Sequence, residues 1–300
     1  MATILITGGS GLIGTHLTRR LLRDGHAVRH LSRTPGERDG VTAFGWDIAR
    51  GQVDENALSG IDHIVHLSGA GVMDSGWSKT RMRELYRSRV DAAGLLLEAA
   101  RATNTHPISF VSASGIGYYG AVTTDHLFTE DDEAATDTIG TLTHAWEQAA
   151  ESWATYTRVV RLRTPTVLAR EGGALPVFVR LARWHALSPI GRGTQWMPWV
   201  HVDDLVEVYV RSLFDDAMRG AYNVVSPDQP RNAELMAAIA RALHHRIVLP
   251  HVPPFALKLL YGERADLLLT GSRASGERLR AAGFTPRFQR TEDALHDLVG

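Results

Sequence analysis

The chain has 300 residues, 44% hydrophobic and 22% charged, with a formal net charge of −1. A charge so close to zero gives no electrostatic case for a nucleic-acid or membrane-surface partner. The absence of cysteine removes disulfides, thiolate metal sites and cysteine nucleophiles together, and no apolar run reaches the roughly 18 residues of a membrane span.

The opening segment MATILITGG has no basic stretch ahead of an apolar one, so no signal peptide is expected and the expected location is cytoplasmic. In chain order, Ala2–Thr7 reads as a short buried strand running into TGGSGLIG, Thr7–Gly14. THLTRRLLRDGH follows, with Leu12, Ile13, Leu17, Leu21 and Leu22 at helical spacing and Gly25 as the stop. A second apolar run, Ala27–Leu31, ends in Ser32-Arg33. Strand, glycine turn, helix, strand is a βαβ unit that opens a parallel sheet. Further strands are expected at Val41–Phe44, His63–Leu67, Ile108–Ser112, Arg158–Leu162 and Ala221–Val225. Helices are expected at Arg81–Ala102, Leu142–Ala154 and Leu205–Asp215. The alternation predicts an α/β fold, a doubly wound parallel sheet with helices on both faces. After Leu168 the chain changes character, and a helix-rich remainder follows Ser226. The expected division is a dinucleotide-binding domain over 1–168, with a return segment at about 199–225, and a smaller C-terminal substrate lobe over about 169–198 and 226–300.

The turn Gly8-Gly9-Ser10-Gly11-Leu12-Ile13-Gly14 is the strongest local signal. One glycine permits the tight turn, another lets the main chain approach a diphosphate, and a third allows close helix–strand packing. The helix N-terminus then points free N–H groups and its positive dipole end at the phosphates. At the end of the second strand stand Ser32 and Arg33 instead of an acidic residue. A hydroxyl and a guanidinium suit a 2′-phosphate, so the expected cofactor is NADP(H), not NAD. Asp47 and Ile48, after the third strand, suit an adenine edge; a partly buried helix cap is the plainer role for Asp47.

Taken together, TGGSGLIG, LSRTP, GWD, HLSG, SASGIGYYG, LRTPTVL, WVHVDDL and NVVSPDQPRNAEL resemble the extended branch of the short-chain dehydrogenase/reductases. More narrowly the chain is similar to the "epimerase family protein" sub-group, sometimes labelled SulA-type cell-division inhibitors. The resemblance runs from Thr3 to about Leu298. It implies a Rossmann domain binding NADP(H) and a C-terminal lobe covering the nicotinamide end. It also implies that His66-Leu67-Ser68-Gly69 forms a strand-end loop beside the cofactor ribose and diphosphate, where relatives usually carry Asn at the position of His66. On the same basis Arg89 falls in the cofactor pocket, Glu84 joins it, and Val167 lies close to the nicotinamide. Pro165 stands where the family has glycine, which removes a backbone donor beside Val167. Asp203 or Asp204 is expected to cap the helix that begins near Leu205.

Active members of that superfamily pair a tyrosine phenol with a lysine four residues later, near a serine. A free phenol has a pKa of about 10, and a neighbouring ammonium lowers it toward working pH. Lys79 and Lys258 are the only lysines, and neither lies four residues beyond a tyrosine. If Glu147 matches the superfamily's helix glutamate, the usual tyrosine and lysine positions hold Ile139 and Thr143. Ser114 survives as a hydroxyl donor, with Ser112 nearer the cofactor. Two readings stay open. In one, an NADP-dependent oxidoreductase or epimerase acts on a nucleotide-sugar or small carbonyl or hydroxyl compound through a rebuilt proton relay. Tyr118 or Tyr119 supplies its phenol, Arg89 its positive charge, and Ser114 orients the substrate oxygen. In the other, a redox-silent NADP(H)-binding regulatory protein uses both tyrosines for packing. The expected partner is a small molecule, and the chain is a monomer or a homodimer. Trp77, Trp184, Trp196 and Trp199 are candidates for an aromatic pocket.

Overall fold

The computed structural model describes residues 1–300. Its strands and helices are, in chain order, β1 (Thr3–Thr7), α1 (Leu12–Arg23), β2 (Ala27–Ser32), β3 (Gly36–Arg38), β4 (Val41–Asp47), β5 (Gln52–Val53), β6 (His63–His66), α2 (Lys79–Tyr86) and α3 (Ala92–Ala102). They continue as β7 (Ser109–Gly115), β8 (Leu127–Phe128), α4 (Thr138–Glu151), β9 (Arg158–Thr164), β10 (Thr166–Leu168), α5 (Leu175–Arg183), β11 (Trp199–His201), α6 (Val202–Phe214) and β12 (Gly220–Asn223). The last are α7 (Asn232–Ala242), α8 (Pro254–Tyr261), α9 (Asp266–Leu269), β13 (Arg273–Ala274), α10 (Glu277–Ala281) and α11 (Thr291–Val299). No helix is long and apolar enough to cross a membrane.

The main sheet runs β12-β9-β7-β6-β1-β2-β4-β3, with β5 against β4. β1 is parallel to β2 and β6, β2 to β4, and β6 to β7, while β3 and β5 meet β4 antiparallel. This is the expected doubly wound, Rossmann-like sheet. Strand order reverses at β1, so the switch point, where such sheets leave a crevice beyond their carboxyl ends, lies between β1 and β6.

Two compact units divide the chain. The first comprises Met1–Ser114, Leu142–Arg163 and Val206–Tyr222. β1 is buried through its last four residues, as a strand covered on both faces requires. Its core joins Leu5, Leu31, Ile64 and Phe110 to Leu96 and Leu97 of α3 and to Trp153. The Trp153 ring stacks on Phe110 at 4.3 Å, and its indole N–H donates to the Ala93 carbonyl. α1 buries Gly14, Leu17, Thr18 and Leu21, a 3/4-spaced stripe. It stops where expected: Gly25 takes φ +83°, and His26 and Gly25 donate back to Leu21 and Leu22, the double bond of a Schellman end.

The second unit comprises Gly115–Thr141, Thr164–Leu205 and Asn223–Gly300. Its core packs α5, α7 and α11 through Leu175, Leu235, Met236, Ile239, Leu295 and Leu298 around Trp199. A smaller cluster joins Tyr119, Val225 and Ala274, with Phe128 packed against it. That cluster explains the main departure from the expected division: residues 115–141 belong with the second unit. The expected return strand forms at Gly220–Asn223, beside β9. α6 begins at Val202, so neither Asp203 nor Asp204 caps it from Leu205. Asp204 instead accepts the Arg287 and Phe288 amides at 2.8 and 3.0 Å, and the His201 ring accepts the Asp203 amide.

Candidate functional site

The glycine turn joins β1 to α1 as the sequence predicts. Gly8 has φ +69°, and a Cβ there would lie 2.8 Å from the Leu67 carbonyl. A Cβ at Gly9 would strike the His30 ring, and one at Gly14 would come within 2.5 Å of the Gly8 carbonyl oxygen. Each side chain is therefore excluded by a different neighbour: the β6 loop, β2 and the turn itself. Gly11 is the N-cap of α1 and no side chain caps the helix, so its first-turn amides lack acceptors. A cradle stripped of side chains, against an uncapped helix start at the switch point, fits a dinucleotide diphosphate.

The loop after β6 is held by an unexpected element. Arg81–Ala102 is not one regular helix: α2 and α3 are joined by a π-turn at Arg87–Asp91. Such a turn inserts one residue and frees backbone carbonyls. Those carbonyls face the loop. Ser68 Oγ donates to the Ser88 carbonyl at 2.9 Å, the Ala70 amide donates to Ser88 Oγ at 3.0 Å, and His66 Nε2 lies 3.1 Å from the Arg89 carbonyl. A carbonyl can only accept, so Nε2 carries the ring proton. His66 Nδ1 then accepts from Thr7 Oγ1 at 3.0 Å, and Thr7 Oγ1 accepts the Ser68 amide at 3.1 Å. Burial pushes the His66 pKa down to about 4.

Arg89 is buried in the same turn. Its guanidinium donates to the carbonyls of Ala70 and Leu85 and to Ser88 Oγ, and it stacks on Trp146 at 5.0 Å. All these acceptors are neutral. Desolvation, followed by the like charge of Arg81, lowers its pKa to about 10, so the group stays cationic at neutral pH. A Cβ at Gly69 would come within 3.0 Å of the guanidinium carbon, which places the cation directly behind the loop. Glu84 does not join it. Glu84 is exposed and pairs with Arg81 at 2.7 Å, and Arg81 also binds Asp74 and the Gly71 carbonyl. Five residues separate Glu84 from Arg89, well past the roughly 3.6 of one helical turn, and the two side chains have different surroundings: Glu84 is exposed and Arg89 is buried.

At the end of β2, Ser32 Oγ accepts the Thr34 amide at 3.1 Å and Arg33 is exposed. After β4, Asp47 Oδ1 accepts the amides of Ala49 and Arg50 at 2.9 and 3.1 Å, which closes a turn and caps no helix. Ile48 packs against the first unit's core. At the end of β7, Ser112 Oγ donates to the Ala113 carbonyl. Ser114 Oγ donates to Glu147 Oε1 at 2.6 Å, and Arg163 grips the same carboxylate through 2.8 and 2.9 Å bonds. Ser114, Glu147 and Arg163 are all at least 95% buried. Sequence reasoning named Ser114 and Glu147 separately but missed Arg163, whose only signal was an arginine inside a buried strand. With its proton on Glu147, Ser114 can offer a ligand only an acceptor. Ile139 and Thr143 are buried.

In the second unit, Tyr119 is buried and its hydroxyl lies 2.8 Å from both the Thr129 carbonyl and Asn223 Oδ1. Tyr118 is half-buried and meets Tyr119 edge-on at 5.6 Å. Val167 lies in β10, paired with Val200 of β11. The tryptophans do not form one pocket: Trp199 is core, Trp184 is 72% exposed, and Trp196 is sandwiched by Arg231 and Arg273 at 4.1 and 4.7 Å. A cavity of about 760 Å³ lies along α7 and α11, lined by Asp228, Glu234, Arg241 and Arg290 among others, and includes no predicted cofactor residue.

Comparison with known proteins adds the following. Residues 4–226 match the family model of the NAD-dependent epimerase/dehydratases, and residues 252–298 match a domain of unknown function, DUF1731. The epimerase family protein SDR39U1 of Mus musculus is 31% identical over 99% of both chains. The epimerase family protein ML0860 of Mycobacterium leprae is 33% identical over 94% of this chain and 91% of its own. The crystal structure of human epimerase family protein SDR39U1 (isoform 2) with NADPH superposes with a TM-score of 0.88 at 31% identity, covering 99% of this chain and 98% of that one.

Proposed function

Because the chain belongs to the NAD-dependent epimerase/dehydratase family, we propose that it binds NADP(H) at the switch point of its first unit. The observation that carries this reading is the convergence there of the Gly8–Gly14 cradle, the uncapped start of α1 and the Leu67–Gly69 loop. Ser32 and Arg33 would receive the 2′-phosphate, Asp47 and Ile48 the adenine side, and Arg89 the negative charge near the loop, with Ser112 beside the cofactor and Val167 toward the nicotinamide. The human relative crystallised with NADPH supports the choice of cofactor.

The reaction we favour is oxidoreduction or epimerisation of a nucleotide-sugar or a small carbonyl or hydroxyl compound. The bound cofactor would supply or accept hydride. The chain's own task is then to hold the substrate oxygen and move a proton. Tyr119 is buried while Tyr118 is the more exposed of the two, so Tyr118 is the candidate phenol, and Ser114 is the candidate acceptor for a substrate hydroxyl. A second reading, a redox-silent NADP(H)-binding regulatory protein, draws support from those engaged hydroxyls and from the missing lysine. The cytoplasmic location and the choice between monomer and homodimer belong to the same proposal.

Titration with NADPH, followed by energy transfer from tryptophan, tests the shared premise. Wild type should bind, and Gly14→Val should not, because the new side chain would strike the Gly8–Gly9 backbone and push the cradle out of shape. No binding by wild type would remove both readings. NADPH turnover over a panel of carbonyl compounds and nucleotide-sugars, lost in Tyr118→Phe, would select the enzyme; no turnover on any of them selects the binder.

A further inference from the structure

His66 is the one side chain seen to tie β1, the β6 loop and the π-turn into a single hydrogen-bonded chain. The order is the Ser68 amide to Thr7 Oγ1, Thr7 to His66 Nδ1, and His66 Nε2 to the Arg89 carbonyl. Each donor and acceptor in that chain is buried, and the direction of every bond is set by the carbonyl at its end. The groups around the ring are Thr7 from β1, Phe110 stacked at 5.9 Å, Ser112 in register on β7, and the π-turn. Arg89 is the charged group acting on it.

Resting on the cofactor reading above, we propose that His66 is a positioning residue for NADP(H), acting through Arg89 and the Leu67–Ala70 loop. The neutral ring pins the π-turn to the end of β1, and the π-turn carries both the cation and the carbonyls that shape the loop. The same loop contacts the glycine turn, because Gly8 has no room for a Cβ against Leu67 and Ser68. Movement of the π-turn would therefore be felt at two walls of the crevice at once. Small displacements of a preorganised site are costly, since side chains that only nearly meet a phosphate lose most of their electrostatic benefit.

His63 provides a matched control. It sits at the opposite end of β6, is also buried, and hydrogen-bonds Ser109 Oγ at 2.9 Å. NADP+ affinity should be measured by calorimetry at pH 7.5, with thermal melts on the same samples, for wild type, His66→Leu, His66→Asn and His63→Leu. Both leucine variants should lower Tm. Only His66→Leu should weaken NADP+ binding, by about tenfold or more, since it removes the donor that ties the Arg89 carbonyl to β6 and the acceptor of the Thr7 hydroxyl proton. His66→Asn, whose amide again offers a donor and an acceptor, should bind within about threefold of wild type. Unchanged affinity in His66→Leu would overturn the inference. So would equal weakening in His63→Leu, which would indicate general destabilisation, or failure of asparagine to rescue. Absence of NADP+ binding by wild type would instead remove the cofactor reading and this inference with it.

Discussion

Arg33 is exposed at the end of β2, beyond the glycine cradle. If it holds the 2′-phosphate, Arg33→Asp should weaken NADP+ by roughly 10- to 100-fold relative to NAD+, since a charge-assisted pair is replaced by repulsion. Equal losses for both cofactors in calorimetry would refute the assignment. The two tyrosines should separate in the same way. Tyr119→Phe takes the hydroxyl partner from buried Asn223 Oδ1 and should cost about 1–3 kcal/mol in denaturant unfolding. Tyr118→Phe should remove any turnover. Adjacent in sequence and alike in chemistry, the pair is told apart by burial: Tyr119 lies inside the cluster with Val225 and Ala274, and Tyr118, like Phe128, packs against it partly exposed.

Among the elements, the join of α4 to β9 is electrostatic at its centre. Glu147 from α4 is held by Arg163 from β9 and approached by Arg161 at 3.7 Å. Breaking a buried pair leaves an uncompensated charge, so Arg163→Met alone should cost about 3–5 kcal/mol, whereas Arg163→Met with Glu147→Leu should cost less than that single change. Urea unfolding of the three proteins checks this; a double variant worse than the single would contradict it. Element boundaries were mostly legible because burial periodicity writes them into the sequence: α1, β1 and β2 fall within a residue or two of their expected positions. The π-turn was not. Its one extra residue leaves apolar spacing almost intact, and its cause lies in partners on β6, some twenty residues away.

For the molecule as a whole, buried histidines set the acid response. His63 and His66 are both pushed down to about 4, chiefly by desolvation, and burial lowers His30 and His201 as well. An unfolded histidine protonates near 6.5, before the folded one can, so the unfolded state binds more protons and stability falls as pH drops from about 6.5 to 4. For His66 the loss is on the order of 3 kcal/mol, and for the more solvated His63 it is smaller. Asp204, raised by burial, works in the opposite sense and softens the decline. Melts between pH 7.5 and 4.5 should show a falling Tm that flattens in His63→Asn/His66→Asn; a Tm independent of pH in wild type would exclude this account.

The doubly wound sheet, the glycine turn and its helix, the return strand and the absence of the tyrosine–lysine pair are legible in the residues alone. These follow from local periodicity, from glycines required by backbone approach and from which residues are missing, all of which are properties of short segments. Which polar groups are already engaged emerges only once the chain is folded. Ser114 is turned to Glu147, Tyr119 to Asn223 and Asp47 to its own turn, Glu84 points away from Arg89, and His66 joins β1 to a π-turn. A buried hydrogen bond pairs residues tens of positions apart, with no spacing rule to announce it, and the cost of leaving such a group unpaired makes its partner obligatory.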